Sequence, residues 1–162
     1  MKLRKLLVGL VALLGAFALV ACGAKTGTAD FQLITEGQMD ICNHLEYQGD
    51  KITLLETTTT ILYSAMEVNS KEEAKEVMEA QNIGAWDGIE GVDHKVEYQD
   101  DRIVEVTSID LAKADLDVLG ELMPIESANG EKVEYLSFKM TKENFKKRGV
   151  KEVKDGQFKE LE

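Results

Sequence analysis

The stretch MDICNHLEYQGDKITLLETTTTILY, residues 39–63, decides the fold of this 162-residue chain. In its first part apolar and polar side chains alternate. Four apolar side chains share one face, interrupted by Asn43: Met39, Ile41, Leu45 and Tyr47. A period of two is typical of a half-buried antiparallel strand. Residues 48–51 then supply turn chemistry, and residues 51–63 are rich in β-branched side chains. The stretch therefore predicts a β-hairpin.

A second hairpin is predicted further along the chain. Val92, His94, Val96 and Tyr98 alternate with charged or polar residues, and Asp100–Asp101 turns the chain into a return strand over residues 102–110. Residues 131–140 leave two alternatives open, because Leu136, Phe138 and Met140 fit a strand and a helix is nearly as plausible.

Three helices are predicted around these hairpins. Ser70 and Glu73 have the spacing of a capping box, in front of an apolar stripe at Ala74, Val77 and Met78. Asp115 is expected to cap a short helix, and Pro124 interrupts regular structure after that helix. Thr141 is expected to cap a basic helix that reaches Arg148, with Gly149 at its end. Hairpins separated by helices predict an α+β domain, in which one antiparallel sheet built from two hairpins carries helices on one face.

The N-terminus predicts export and lipidation. Lys2, Arg4 and Lys5 precede an apolar stretch that is too short to cross a bilayer as a stable helix. The stretch ends in LVACG, residues 19–23, which looks like a bacterial lipobox. We expect residues 1–21 to be a cleaved signal peptide and Cys22 to carry the lipid. The predicted location is the cell membrane, facing outside the cytoplasm, with the membrane as a partner through this anchor.

The remaining chain is expected to be a flexible stalk, residues 22–33, followed by a single domain, residues 34–162. The signal contains three of the 19 basic residues and no acidic ones, so 16 basic and 30 acidic side chains remain, a net charge of −14. Such a surface disfavours nucleic acid as a partner. Once Cys22 is lipidated, Cys42 is the only thiol left and no intramolecular disulfide can form.

The order of these segments resembles the YehR family of small bacterial lipoproteins. The lipobox, the turn YQGDK at residues 47–51, the stretch EGVDHKVEY at residues 90–98, TSID at residues 107–110 and GVKEV at residues 149–153 carry the resemblance. It covers most of the mature domain and implies a compact α+β lipoprotein. It implies no activity, because the family is known as a domain of unknown function, and no catalytic or ligand residue is carried over.

Three sets of side chains are candidates for chemistry. Cys42 and His44 share a strand face, where a thiolate–imidazole pair would be a nucleophile, although no orienting third group is visible. His94 lies on the apolar face of its strand, which is typical of a buried or boundary histidine whose hydrogen bonds are satisfied within the fold. The third candidate is a set of three acidic residues, Asp87, Glu90 and Asp93. They would form a calcium-binding loop, and the alternative is a solvated turn that binds nothing. Since each candidate has a simpler structural explanation, we predict no catalytic residue, no cofactor-binding residue and no metal-binding residue.

The predicted function is a non-enzymatic binding or interaction module. Its proposed partner surface consists of Trp86, as an exposed anchor or as a residue folded over the core, and of the basic cluster Lys146, Lys147 and Arg148. That cluster belongs to residues 139–154, which have a local charge of +5, and cations at a helix C-terminus are the simpler explanation for it. The alternative function is a carrier of a small ligand or metal, and an enzyme ranks last. The partner is an unknown protein or small ligand of the cell envelope.

Overall fold

The computed structural model describes residues 24–125, 133–154 and 156–162, and these residues contain a six-stranded sheet of order β4-β5-β3-β2-β1-β6. The strands are β1 (Thr26–Thr35), β2 (Met39–Gln48), β3 (Lys51–Leu62), β4 (Val92–Tyr98), β5 (Arg102–Asp110) and β6 (Lys151–Val153). Three α-helices accompany them: α1 (Lys71–Ala80), α2 (Leu116–Leu122) and α3 (Phe138–Lys147). Every neighbouring pair of strands is antiparallel. The predicted α+β class and both predicted hairpins are confirmed.

The first strand corrects the predicted stalk. Residues 26–35 form β1 and pair with all of β2, from Thr26 opposite Gln48 to Thr35 opposite Met39. The expectation of a flexible stalk over residues 22–33 and of a domain that begins at residue 34 was therefore wrong from Thr26 onward. Phe31 is only 2 % exposed, and Ala29 and Leu33 continue its alternation along the strand. This period of two was present in the sequence but was hidden by the preceding Gly and Thr residues.

The two faces of the sheet differ in what covers them. Side chains in line with Phe31, Leu45, Leu55 and Ile109 point to the helices, and we call this side the helix-bearing face. The opposite side, in line with Gln32, Cys42 and Thr58, is the open face. The sheet also has two ends. The proximal end is where β1 begins and β2 ends, and the distal end is where β1 ends and β2 begins.

Two core clusters lie on the helix-bearing face. The larger one occupies the proximal half, where Leu119 of α2 and Phe145 of α3 pack against sheet residues. Its buried members are Phe31, Leu45, Ile52, Leu55, Ile109, Leu111 and Leu119. The smaller one occupies the distal half beside β4 and β5, where Ala74 and Met78 of α1 join Tyr63 and Ile103. The predicted stripe of α1 is therefore its buried face.

The first two helices begin where the sequence predicts. The Ser70 hydroxyl oxygen accepts from the Glu73 N–H at 3.2 Å, while the Glu73 carboxylate accepts from the N–H of Asn69, one residue before the cap. The Asp115 carboxylate accepts from the Asp117 N–H at 2.8 Å at the start of α2. Among the described helices, none has the length and apolar composition needed to cross a membrane.

The third helix begins earlier than predicted. Its cap is Ser137 rather than Thr141: the Ser137 hydroxyl oxygen accepts from the Met140 N–H at 3.2 Å, and Asp50 accepts from the Lys139 N–H at 2.8 Å. The ambiguous segment thus divides at Ser137, which makes an isolated bridge to Lys51 before Phe138 starts the helix. The partner that fixes this start, Asp50, lies 87 residues earlier and could not be identified from local sequence. Residues 131 and 132 lie outside the described residues.

Aromatic contacts set the direction of α3 along β1. The Phe138 ring stacks on Tyr47 with centroids 3.9 Å apart, and the Phe145 ring meets Phe31 edge-on at 5.2 Å. Gly27 makes room for this stack, because a Cβ at that position would lie 2.5 Å from the Tyr47 hydroxyl. The helix therefore runs from the proximal end toward the distal end and ends at Lys147. Gly149, two residues later, has a φ of +82°, as the predicted C-terminal glycine requires.

Candidate functional site

His94 is held between two carboxylates on the helix-bearing face. Its Nδ1 lies 3.0 Å from Asp87 Oδ1 and its Nε2 lies 3.0 Å from Glu105 Oε1, and its side chain is only 4 % exposed. Both ring nitrogens of His94 therefore have a carboxylate oxygen within hydrogen-bond distance. The prediction of a satisfied histidine describes this arrangement.

A cleft of ≈ 430 Å³ lies beside His94, between α1 and the edge strand β4. Tyr98 and Val96 supply its apolar wall, and burial raises the pKa of the Tyr98 hydroxyl above its ordinary value, with the charge of Glu79 adding to the effect. The lining mixes both charges with apolar groups: Lys75, Glu79, Asn82, Ile83, Gly84, Asp87, His94, Val96 and Tyr98.

The acidic loop does not assemble the oxygen ligands that calcium needs. Asp87 binds His94, whereas Asp93 is exposed on the neighbouring position of β4, where side chains point to the open face. In the described residues no group of three or more His, Cys, Asp or Glu side chains has a geometry that could hold a metal ion.

Cys42 and His44 lie side by side on the open face but bind different partners. The Cys42 thiol donates to Asp40 at 3.3 Å, and His44 Nδ1 lies 2.6 Å from Asp30 Oδ1. Burial, followed by the negative charge of Asp40, raises the pKa of the Cys42 thiol well above its ordinary value. Since the thiolate is the reactive form, this thiol is a poor nucleophile. The two residues do not form a thiolate–imidazole pair.

The C-terminal segment covers part of the open face next to this cluster. The Gln32 amide accepts from the Lys159 N–H at 3.0 Å and donates to the Lys159 carbonyl at 2.9 Å, so it pairs with the chain as a strand would. The Gln32 amide also donates to Asp40 at 2.9 Å, and Leu161 is 9 % exposed. No sequence pattern signals this contact, because Gln32 and Lys159 are 127 residues apart.

The predicted partner surface is divided between two regions. Trp86 is half-buried and packs against the larger core cluster, so it is the residue folded over the core and not the exposed anchor. Its loop leads into the edge strand β4. Lys146, Lys147 and Arg148 are exposed at the end of α3, which packs against β1 near the opposite edge. Cys22 lies outside the described residues.

The described residues form a small α+β domain with one antiparallel sheet. An NMR structure of the E. coli YehR protein has this fold, with a TM-score of 0.68 and 26 % identity over 82 % of this chain and 94 % of that one. The class is that of uncharacterised bacterial lipoproteins.

A family model described as "Protein of unknown function (DUF1307)" matches residues 27–151, and the chain belongs to this family. The uncharacterized lipoprotein Lmo0207 of Listeria monocytogenes is 32 % identical over 138 residues, which are 85 % of this chain and 88 % of the relative. The uncharacterized lipoprotein YehR of E. coli is 27 % identical over 151 residues, 93 % and 97 % of the two chains. The predicted YehR-like family is confirmed.

Proposed function

We propose that this protein is a binding module of the cell envelope, anchored in the membrane by lipid on Cys22 and without enzymatic activity. The lipobox carries the anchoring part, since two acyl chains on a glyceryl group give stable membrane attachment where one gives only marginal binding. The lipoprotein names of the relatives support it. The module then works outside the cytoplasm and stays next to the bilayer.

The link between the anchor and the sheet is short. Gly23 alone separates Cys22 from the described chain, and the Lys25 carbonyl already accepts from the Gly49 N–H at 2.8 Å. Four residues from Cys22 to Thr26 span at most about 14 Å. The proximal end of the sheet therefore lies close to the membrane. The distal end lies about 30 Å further along the ten residues of β1.

The state of the reactive side chains supports binding over catalysis. Both nitrogens of His94 and one nitrogen of His44 are engaged by carboxylates, and the Cys42 thiol is disfavoured as a thiolate. Among the described residues no buried side-chain nitrogen or oxygen lacks a hydrogen-bond partner. These side chains are hydrogen-bonded to one another within the fold.

A small-ligand carrier is the second candidate, and the cleft beside His94 favours it. A ligand there would contact Tyr98 and Val96 and would meet charged groups of both signs at Lys75 and Glu79. A ligand that stabilises the native protein raises its unfolding temperature. Thermal-shift screening with envelope metabolites tests this candidate, with the variant Val96→Trp, which fills the cleft, as the control that should abolish a true shift.

Metabolic labelling with an alkyne-bearing palmitate analogue tests the proposed anchoring in cells. The wild-type chain and Cys42→Ala should both be labelled and sediment with membranes, because Cys42 is not the lipidated residue. Cys22→Ala should carry no label. Extracellular protease should digest the domain of the wild-type chain in cells whose outer barrier has been opened. Equal labelling of Cys22→Ala, or full protection from protease, would overturn the proposal.

A further inference from the structure

One edge of the sheet is a regular strand with no described strand on its outer side. β4 (Val92–Tyr98) is the last strand of the sheet, and it pairs with β5 in one unbroken register over all seven residues. The opposite edge strand, β6 (Lys151–Val153), has only three residues. Proteins commonly shorten or bulge an edge strand or place proline in it, because an open edge pairs with other chains. β4 has neither a bulge nor a proline.

The backbone groups on the outer side of β4 belong to alternate residues. The Gln99 N–H donates to the Arg102 carbonyl at 2.8 Å, and at the other end of the pair the Asp110 N–H donates to the Gly91 carbonyl at 2.8 Å. Because such bonded pairs alternate along an antiparallel ladder, the odd-numbered residues of β4 bond β5 and the even-numbered ones turn their N–H and C=O groups outward. Three outward residues have no further backbone hydrogen bond in the described chain: His94, Val96 and Tyr98.

The same three residues form one wall of the cleft beside α1. Their side chains share the helix-bearing face, and the cleft of ≈ 430 Å³ lies between them and the helix. A strand added about 4.8 Å from β4 would send every second side chain to this face. The half-buried Val96 and Tyr98 would be neighbours of those side chains. The position therefore favours apolar residues in the added strand, since apolar and aromatic cross-strand pairs stabilise a sheet.

The open-face side of β4 has an alternating charge pattern. Asp93, Lys95 and Glu97 are its exposed residues, in the order negative, positive, negative. Residues directly opposite each other on neighbouring strands are about 5 Å apart, where opposite charges attract and like charges repel. Asp93 and Glu97 therefore select two basic residues four places apart in an added strand. Lys95 selects an acidic or polar residue midway between them.

We propose that β4 receives an extended segment of another envelope protein as a seventh strand of the sheet. The segment has the pattern basic, apolar, acidic or polar, apolar, basic. Its basic residues stand opposite Asp93 and Glu97, and its apolar residues lie beside the cleft. Its backbone bonds the outward groups of β4, which is how extended peptides add to an exposed sheet edge. This step rests on the proposed function, a binding module outside the cytoplasm.

The charge of the whole chain agrees with a basic partner. The net charge is strongly negative, so the electrostatic field of the domain attracts a basic segment and opposes a second copy of this chain as the occupant. The cleft has the same bias, because Glu79 and Asp87 outnumber Lys75 among the charged residues that line it beside His94. Local and overall charge therefore favour the same kind of occupant.

Photo-crosslinking from the edge strand tests the proposal in the full-length lipidated protein in its native cells. p-Benzoylphenylalanine replaces Lys95 in one strain and, as the matched control, Lys151, an exposed lysine of the other edge strand. After irradiation, the crosslinked segment is sequenced by mass spectrometry. We expect at least five times more adduct from position 95 than from position 151, to a segment of a second protein that has the proposed pattern.

Two further variants separate strand pairing from contact through side chains. Val96→Pro removes an outward N–H and leaves the hydrogen bonds to β5 in place, whereas Val96→Ala shortens the side chain and keeps the N–H. With the crosslinker at position 95, Val96→Pro should give at least five times less adduct than Val96→Ala. Asp93→Lys with Glu97→Lys should lower the adduct at least fivefold, while the control pair Glu72→Lys with Glu76→Lys on α1 should leave it unchanged.

Several outcomes would overturn the proposal. They are equal yields from positions 95 and 151, adducts to a second copy of this chain, to residues 126–132 of the same chain or to lipid, and an adduct that survives Val96→Pro or the charge reversal. Thermal unfolding reports whether each variant is folded, and the charge reversal decides if Val96→Pro is not. Membrane fractionation of each sample reports separately whether the anchoring holds.

Discussion

The two halves of the helix-bearing face have the same alternation of side chains along their strands but differ in how deeply those side chains are buried. In the proximal half, Leu45 is fully buried beneath helices that arrive from elsewhere in the sequence. Four residues earlier on the same strand and the same face, Ile41 is half-buried and belongs to neither core cluster. Alternation therefore determines which side chains face the helices. The placement of the helices determines whether those side chains become core or surface.

The largest change in stability is expected from alanine substitutions at these two positions. Leu45→Ala should lower the free energy of unfolding by about 2–5 kcal/mol, because it leaves a cavity in the larger core cluster. Ile41→Ala should cost less than about 1.5 kcal/mol, since its side chain already contacts solvent. Urea unfolding of the mature chain from Cys22, made without lipid, measures both. Similar losses of unfolding free energy at the two positions would show that Ile41 in the distal half is as much a core residue as Leu45.

The next largest change in stability is expected on the open face, part of which is covered by the C-terminal segment around Lys159. Gln32→Ala leaves the Lys159 backbone groups and Asp40 without the amide that pairs them, and should cost about 1–3 kcal/mol. It should also speed alkylation of Cys42 by iodoacetamide, because the thiol next to Asp40 becomes more accessible. Gln38→Ala, in the exposed β1–β2 turn, is the control. An unchanged unfolding midpoint in Gln32→Ala would show that the C-terminal segment is not held in this place.

A smaller effect is expected at the start of α3, the helix that covers β1 in the proximal half. Ser137→Ala removes the hydroxyl oxygen that accepts from the Met140 N–H and should cost about 1 kcal/mol. Thr141→Ala should be nearly neutral, although Thr141 is the residue that the sequence pattern favours as the cap. Thermal unfolding of the two variants decides the helix start. A larger loss of thermal stability in Thr141→Ala than in Ser137→Ala would show that α3 begins at Thr141.

The smallest effect is a pH dependence at the proximal end of β5. A hydrogen bond from Lys113 lowers the pKa of Asp110 from its ordinary value of 3.8. A lowered folded-state pKa means that the ionised form stabilises the fold above the unfolded pKa, and that this contribution is lost as the pH falls through the folded value. The stability difference between wild type and Asp110→Asn should therefore be present at pH 6 and shrink below about pH 3.8. A difference that grows on acidification would contradict the assignment.

The sequence predicted most of the fold because its signals are local. The alternation in residues 39–47 and 92–98, the cap at Ser70 and the glycine at position 149 each depend on residues a few places apart. The failures depend on distant partners: β1 is ordered by its pairing with β2, Ser137 by Asp50, and Gln32 by Lys159.

Solvent paramagnetic relaxation of methyl groups tests the contrast between the two halves most directly. A soluble gadolinium chelate is added to the methyl-labelled mature chain, and the line broadening of each methyl resonance is measured. Strong broadening is predicted at Leu33, Met39, Ile41 and Ile61, with little at Leu45, Leu55, Ile109 and Leu119. Equal protection of both sets would contradict this contrast, because the distal half at these residues would then be as closed to solvent as the larger core cluster.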